Sequence, residues 1–497
     1  MRTQSQVTYV STRGNSREID SAEAIICGLA TDKGLYVPTH IPTPAIDYDG
    51  WANVPYRDVS LKILKSFLTD FEITDLRKCV DGAYDEKFDS PKIAPLANTS
   101  KACFLELYHG RTAAFKDMAL SILPYLLTTA IRKKREDNKI IILTATSGDT
   151  GKAALEGFSD VTGTEIFVFY PKDGVSEIQQ RQMITQRGGN VHVFAVDGNF
   201  DDAQNGVKQI FNDDEFGRRL AVKGYRLSSA NSINIGRLIP QVAYYVYAYI
   251  QMIVAKRVKS ESPINIVVPT GNFGNILAAW YAMQMGLPVN KLICASNENK
   301  VLTDFINTGV YDANRQFYLT SSPSMDILIS SNLERLLWHL SGGNAPEIAS
   351  YMRSLDETGR YSVSDTVRRG MSKFWAGYAD MRETHNAIAT LWNEEKYLMD
   401  THTAVAYSVY MDYRAHTGDQ TPTLIASTAS AYKFADNVSE CIGLPKASDG
   451  FAYIEELNKA TGVQIPDGLK NLKNKTITQN YKIHINQMRD AIMQSLV

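Results

Sequence analysis

The sequence predicts an α/β protein built on mostly parallel sheets. From about residue 100 onward, short runs of β-branched and other apolar residues alternate with helical patterns. These runs are apolar along their whole length, as expected for strands that helices cover on both faces. With 44% hydrophobic and 21% charged residues in a chain of 497, the composition is that of a globular protein. A disordered or fibrous chain is therefore excluded.

The strand signals divide the chain into regions of different character. Residues 1 to about 95 are mixed in composition and include a proline-bearing stretch, Val37–Gly50, that predicts a surface loop. Segment 310–420 has few strand signals and is predicted to be a mostly helical insertion, and the last fifty residues are polar and helix-prone. The six predicted strands are 139–145, 165–171, 191–198, 265–271, 291–296 and 423–428.

Charge and cysteine usage narrow the possible partners and the compartment. With 52 basic and 54 acidic residues, the net charge of -2 gives no reason to expect a nucleic-acid partner. The five cysteines are odd in number and scattered, which argues against a disulfide framework and favours a cytoplasmic location. No apolar segment follows the early arginine, so we expect no signal peptide.

The most apolar long segment is Leu238–Ala255. It contains Pro240, two glutamines and several tyrosines, and it is too short and too polar for a bilayer-crossing helix. We therefore predict a buried, tyrosine-rich core helix and no membrane association. The eight histidines show no spacing typical of paired metal ligands, so we expect no metal site.

Three loops carry candidate chemistry, and the first follows the strand at 139–145. The loop contains Ser147, Asp149 and Thr150 and leads into a helix of small residues. It is similar to a P-loop, but Thr146 stands where that motif needs glycine and Ala153 where it needs serine or threonine. The pattern therefore argues against a nucleoside triphosphatase, and an ordinary strand-to-helix turn stays open as the alternative.

The second loop, Gly271–Asn275, lies between the strand at 265–271 and another helix of small residues. Its glycines let the backbone approach an anion, and the amide groups at a helix start can hold a phosphate. The glycine spacing does not fit a dinucleotide fingerprint, so NAD is not expected. A glycine turn without function is the alternative.

The third loop contains Lys116, which stands among small and apolar neighbours. Such surroundings lower the pKa of a lysine amine, as Schiff-base chemistry requires. A reactive lysine, a phosphate-binding turn and a polar loop on an α/β scaffold together indicate a pyridoxal-phosphate enzyme.

Nearly the whole chain carries a series of ordered motifs: Tyr9–Gly14, Gly28–Pro38, His109–Asp117, Thr146–Gly151, Asn231–Gln241, Gly271–Asn275, Pro323–Leu328, Asp400–Val405 and Ser427–Ala429. This series resembles the threonine synthase family of fold type II pyridoxal-phosphate enzymes. Arg111, and Ser430 with Ala431, depart from the family pattern.

The resemblance implies a role for each candidate residue. Lys116 would join the cofactor covalently and then move protons, Thr428 would bond the pyridine nitrogen, and Asp149 would face the ring hydroxyl. Arg237 would bind the substrate phosphate. The cofactor phosphate would be held by Gly271, Asn272, Phe273, Gly274 and Asn275, and the substrate site would be lined by Ser147, Thr150, Asn231, Ser232 and Arg237.

The resemblance also implies an activity and a fold. The expected reaction converts the small molecule O-phospho-L-homoserine and water to L-threonine and phosphate, the last step of threonine biosynthesis, in a monomer or homodimer. Two alternatives stay open: a related phospho-lyase that releases 2-oxobutanoate, and a non-catalytic cofactor-binding protein.

The expected fold has two domains similar to the tryptophan synthase β subunit, with an N-terminal extension. We expect an N-terminal domain at 1–98, a large cofactor-binding domain at 99–138 and 265–480, a small α/β domain at 139–264 and a C-terminal helix at 481–497.

Overall fold

The computed structural model describes residues 6–198 and 200–496. Its strands are β1 (Tyr9–Ser11), β2 (Tyr36–Pro38), β3 (Leu96–Asn98), β4 (Cys103–Glu106), β5 (Lys139–Ala145), β6 (Thr164–Pro171), β7 (Val191–Asp197), β8 (Tyr225–Ser229), β9 (Ile264–Pro269), β10 (Val289–Ser296), β11 (Val310–Asp312), β12 (Arg360–Ser362), β13 (Phe374–Tyr378), β14 (Thr423–Ser427) and β15 (Tyr481–His484).

The helices surround and connect these strands. They are α1 (Ser21–Cys27), α2 (Tyr56–Phe67), α3 (Ile73–Ala83), α4 (Asp117–Leu120), α5 (Leu123–Lys134), α6 (Asp149–Phe158), α7 (Glu177–Ile184), α8 (Phe200–Phe211), α9 (Asp214–Val222), α10 (Ile235–Val254), α11 (Gly274–Gln284), α12 (Val301–Thr308), α13 (Leu333–Leu340), α14 (Ala345–Thr358), α15 (Asp365–Gly370), α16 (Met381–Glu395), α17 (Thr401–Thr417), α18 (Ala435–Cys441), α19 (Gly450–Thr461) and α20 (Met488–Ser495).

Two sheets organise the molecule. The larger has six strands in the order β13-β10-β9-β14-β4-β3 and is parallel except for the β3–β4 pair. The smaller has five parallel strands in the order β15-β7-β6-β5-β8. This arrangement confirms the predicted α/β class with mostly parallel sheets.

All six predicted strands are present, with ends that differ by a few residues. Their central residues are buried on both faces, as the uninterrupted apolar runs indicated. The sequence did not predict the strands of three to five residues that mix polar and apolar residues. These include β4 and β13 of the large sheet. Sequence 374–378 reads Phe-Trp-Ala-Gly-Tyr, and its pairing with β10 makes it a strand at the sheet edge within the segment predicted as mostly helical.

Helix α10 is the predicted tyrosine-rich core helix. Tyr244, Tyr245 and Tyr249 are fully buried, and the helix packs against α2 and α11. Within the described residues, no helix has both the length and the apolar composition that a bilayer crossing requires.

Elements of both the N-terminal and the C-terminal regions pack against the rest of the protein. Helices α1 and α3 of the N-terminal region pack against α5, and α2 packs against α10. The final segment, expected to be a helix, begins as strand β15 at the edge of the small sheet and continues as α20. Met488 and Ile492 of α20 are buried in the same apolar cluster as Val207 and Ile210 of α8.

Candidate active site

All the site residues predicted from the sequence line one cavity between the two sheets. The loops that follow β5, β8, β9 and β14 meet there, at the carboxyl ends of parallel strands. Ligands of open α/β sheets bind at this edge because loops and helix N-termini converge on it.

Lys116 is buried at the wall of this cavity, just before the short helix α4. Its ammonium nitrogen lies 3.1 Å from Asp149 Oδ2 and 3.0 Å from the hydroxyl oxygen of Ser324. Burial lowers the pKa of the amine, and the ion pair with Asp149 opposes that effect only in part. The sequence prediction of a lysine with a lowered pKa is therefore consistent with the structure.

Asp149 begins α6 behind Gly148, whose φ of 130° lies outside the range that L side chains readily adopt. Thr146 fixes this turn because its hydroxyl accepts the backbone N–H groups of Gly148 and Gly151. Burial alone would raise the pKa of Asp149, but Lys116 and Lys433 outweigh it and hold that pKa well below its usual range. The two lysines therefore favour the charged form of the carboxylate.

The phosphate-binding turn precedes α11 and has an unusual backbone. Phe273 adopts a left-handed conformation with φ of 60°, which turns successive amide groups toward a common point at the helix start. Gly271 is required sterically, because a Cβ there would lie 2.6 Å from the carbonyl oxygen of Ser324. Asn332 donates from its backbone and its side chain to the carbonyl of Asn272 and braces the turn.

Asn275 supplies an unused donor at the same place. The hydroxyls of Tyr244 and Tyr245 lie 2.6 and 2.5 Å from its side-chain oxygen, so this oxygen is fixed as an acceptor. Its amide nitrogen is buried and has no hydrogen-bond partner within the described part of the chain. Such an orphaned donor is rare in a folded protein and indicates a ligand.

Arg237 is buried and forms no ion pair with the residues that the structure describes. Within the described residues its guanidinium makes one hydrogen bond, from Nη1 to the carbonyl of Ala230 at 2.9 Å, and Nε has no partner. Burial lowers its pKa to about 10. Asn231 also has an unpartnered buried oxygen. A buried guanidinium with free donors is suited to an anion such as phosphate.

The remaining predicted residues also line the cavity. Thr428 follows β14 and is buried, and its carbonyl accepts the backbone N–H of Phe115 beside Lys116. Strand β15 comes later in the chain, so β14 is not the last strand as the sequence suggested. Ser147, Thr150 and Ser232 line the cavity.

The structure adds residues that the sequence analysis did not assign. Ser324 reaches Lys116 from the insertion. His402 lines the cavity, and its Nε2 accepts the backbone N–H of Ser324, so the ring proton lies on Nδ1 and faces Asp400 at 2.8 Å. Lys433 is fully buried behind Asp149. Each had a signal in the sequence: Ser324 and His402 lie in the motifs Pro323–Leu328 and Asp400–Val405, and Lys433 stands among small and apolar neighbours.

The cavity fits pyridoxal phosphate. It offers a buried lysine amine for the aldehyde, amide donors at a helix start for the phosphate, and the hydroxyl residue Thr428 for the ring nitrogen. The fold and the site thus define a pyridoxal-phosphate-dependent enzyme. Among the described residues, no cluster of His, Cys, Asp or Glu side chains could hold a metal ion.

Comparison with known proteins identifies the family within this class. The family model "Pyridoxal-phosphate dependent enzyme" matches residues 88–428, and "Threonine synthase N terminus" matches residues 8–84. Threonine synthase from Eremothecium gossypii is 36% identical, with 87% of this chain and 89% of that protein covered. Threonine synthase-like 1 from Homo sapiens is 38% identical over 89% of this chain and 59% of that protein.

Solved structures agree. The crystal structure of threonine synthase from yeast has a TM-score of 0.87 and 33% identity, and 99% of each chain is covered. That of the PLP-bound threonine synthase from Brucella melitensis has a TM-score of 0.86 and 33% identity, also with 99% of each chain covered. The chain belongs to the threonine synthase family.

Proposed function

We propose that this protein is a threonine synthase, which converts O-phospho-L-homoserine and water to L-threonine and phosphate with pyridoxal phosphate as cofactor. One observation supports this most directly: a single cavity holds a buried lysine amine and two separate anion-binding features, the turn at Gly271–Asn275 and Arg237. The reaction needs both, because cofactor and substrate each carry a phosphate.

The residues divide the work as follows. The cofactor, when bound, spreads the negative charge left as a proton leaves the substrate. The turn at Gly271–Asn275 holds the cofactor phosphate, and Thr428 faces the ring nitrogen. Arg237 binds the substrate phosphate and stabilises the charge that grows on it as the Cγ–O bond breaks. Ser147, Thr150, Asn231 and Ser232 line the substrate side.

Lys116 is the group that moves protons. Protons leave Cα and Cβ, phosphate leaves Cγ, and Cγ is protonated; water then adds at Cβ and a proton returns to Cα. A lowered pKa gives Lys116 the neutral amine that can accept such a proton at Nζ. Ser324 and Asp149, at 3.0 and 3.1 Å, hold that nitrogen in one position.

Product analysis tests the proposal. The purified protein, loaded with pyridoxal phosphate and given phosphohomoserine, is expected to release threonine and phosphate in equal amounts. Release of 2-oxobutanoate would support the phospho-lyase alternative, and cofactor binding without turnover would support a non-catalytic protein. The variant Lys116→Ala should lose turnover, whereas Lys152→Ala, which removes a buried lysine outside the cavity, should keep it.

We propose the remaining attributes on narrower grounds. All five cysteines are free thiols, which supports a reducing, cytoplasmic setting. We propose a monomer or homodimer that uses no nucleic-acid or membrane partner, which light scattering and vesicle sedimentation would test. The domain limits given above also stay a proposal, and limited proteolysis would test them.

A further inference from the structure

Lys433 stands directly behind the cavity wall. It lies in the short 3-10 helix Ala431–Phe434 that follows β14, and its side chain is fully buried. Its ammonium nitrogen is 2.6 Å from Asp149 Oδ1 and donates to the carbonyl of Thr112 at 3.0 Å. Neither Lys433 nor its neighbour Gln179 is among the residues that line the cavity.

The two oxygens of Asp149 therefore have different surroundings. Oδ1 points away from the reacting groups and is held by Lys433 and by the side-chain amide of Gln179 at 2.9 Å. Oδ2 faces Lys116 at 3.1 Å and the hydroxyl of Ser324 at 3.5 Å. Two buried cations thus share one carboxylate, one on each oxygen.

Charge balance shows why two cations are needed. The proposed chemistry commits the Lys116 amine to the cofactor, so this amine is not a permanent counter-ion for Asp149. A buried carboxylate without a counter-ion takes up a proton, because burial disfavours its charged form. Among the described residues the Lys433 ammonium pairs with Asp149 and donates to the Thr112 carbonyl, and the proposed chemistry does not commit it to the cofactor.

We infer that Lys433 is a positioning residue. It keeps Asp149 ionised, and keeps Oδ2 of Asp149 turned toward the cofactor, while Lys116 is joined to the cofactor. The inference rests on the proposed function, since it needs the cofactor at Lys116. Two other charged groups lie near the three: Asp117, tied to Thr112 by two hydrogen bonds, and Arg237, which lines the same cavity as Lys116.

The test is a pH titration of the visible absorbance of the cofactor-loaded protein. This absorbance depends on the ionisation of groups beside the cofactor ring. The variant Lys433→Met removes the cation that favours the charged form of Asp149, so the titration that depends on this carboxylate should shift to a midpoint about 1–3 pH units higher. Lys152→Met is the matched control, because Lys152 is also a buried lysine paired with a carboxylate, Glu156, but lies outside the cavity. Its midpoint should stay at the wild-type value.

The same titration in Asp149→Asn protein tests whether Lys433 acts through Asp149. In Asp149→Asn protein, Lys433→Met should leave the midpoint unchanged, because the group through which Lys433 acts is gone. An unchanged midpoint in the single variant, or an equal shift in both backgrounds, would overturn the inference. Wild-type protein that develops no visible band with pyridoxal phosphate would instead overturn the proposed function.

Stability supplies a second measurement if the single variant does not fold. Asp149→Asn leaves Lys433 as a buried cation without its carboxylate, so the double variant Asp149→Asn/Lys433→Met should have the higher urea midpoint of the two. A lower midpoint for the double variant would show that Lys433 serves mainly its bond to Thr112, and the inference would fail.

Discussion

Replacing Arg237 by methionine should change activity and stability in opposite directions. Burial lowers the pKa of this guanidinium from its ordinary value to about 10. At neutral pH the group is charged in both the folded and the unfolded state. The lowered pKa therefore corresponds to a decrease of about 3 kcal/mol in the free energy of unfolding. This decrease is fully present at pH values below the pKa of the folded state. Methionine removes this cost and loses one hydrogen bond, to Ala230, of about 1 kcal/mol.

The expected net effect of Arg237→Met is a gain of about 2 kcal/mol in unfolding free energy without ligands. Catalysis should suffer, because two charge-assisted hydrogen bonds to the substrate phosphate of about 1.5–3 kcal/mol each disappear. This loss lowers kcat/KM for phosphohomoserine by about 10²–10⁴-fold. Affinity for pyridoxal phosphate should stay within about threefold, since Arg237 is assigned to the substrate.

Arg335→Met is the matched control for stability. Arg335 is also buried, with a pKa lowered to about 10 by burial. Its donors, however, bond Asn332 and the carbonyls of Tyr36, Ser232 and Ile233. At about 1 kcal/mol each, losing these four bonds outweighs the roughly 3 kcal/mol regained by removing the buried charge, so this variant should be less stable than wild type by about 1 kcal/mol. Urea unfolding of both variants and steady-state kinetics of Arg237→Met are the assays. A less stable Arg237→Met, or a kcat/KM within tenfold of wild type, would refute the reasoning.

Three further predictions follow from the same geometry. Lys116→Ala should abolish both the visible absorbance with pyridoxal phosphate and threonine formation; threonine made by this variant would disprove its role. Gly271→Ala places a Cβ 2.6 Å from the Ser324 carbonyl, and the resulting overpacking of about 1–3 kcal/mol should weaken cofactor binding by about 5–150-fold in an absorbance titration, whereas Gly217→Ala, at a site with open space, should not. Burial would lower the pKa of His109, but its bonds to Asp89 and Glu106 outweigh this and raise it to about 9. The resulting stabilisation of about 3 kcal/mol is present below pH ~6.5 and lost as pH rises through 9, so the urea midpoints of wild type and His109→Gln should converge at high pH; a constant difference would contradict this.

The strands found from sequence share one property. Strands β5, β6, β9, β10 and β14 carry long apolar runs, because helices cover both faces of the sheets. Strand β13 has no such run and depends on its partner β10, so only the pairing in space defines it. The same holds for β15, because its four residues, Tyr-Lys-Ile-His, form no apolar run that would distinguish them from a loop.

The candidate site divides in a similar way. Lys116 and Gly271–Asn275 could be found because the chemistry is local: a lysine among apolar neighbours, and glycines at a helix start. The ion pair of Lys433 with Asp149 joins residues 284 positions apart (433 minus 149), and Ser324 reaches Lys116 from the insertion. No short-range pattern reports such contacts.

The amino-acid sequence by itself determined the class of fold, the reactive Lys116 and the phosphate-binding turn at Gly271–Asn275. These features depend on hydrophobic periodicity and on the backbone conformation of neighbouring residues, and both can be inferred from consecutive residues. Only the tertiary structure showed that two buried lysines favour the charged form of Asp149 and that, within the described residues, Arg237 Nε has no hydrogen-bond partner. The physical reason is that electrostatic energies depend on burial and on the distance between charges, and both are properties of the folded chain.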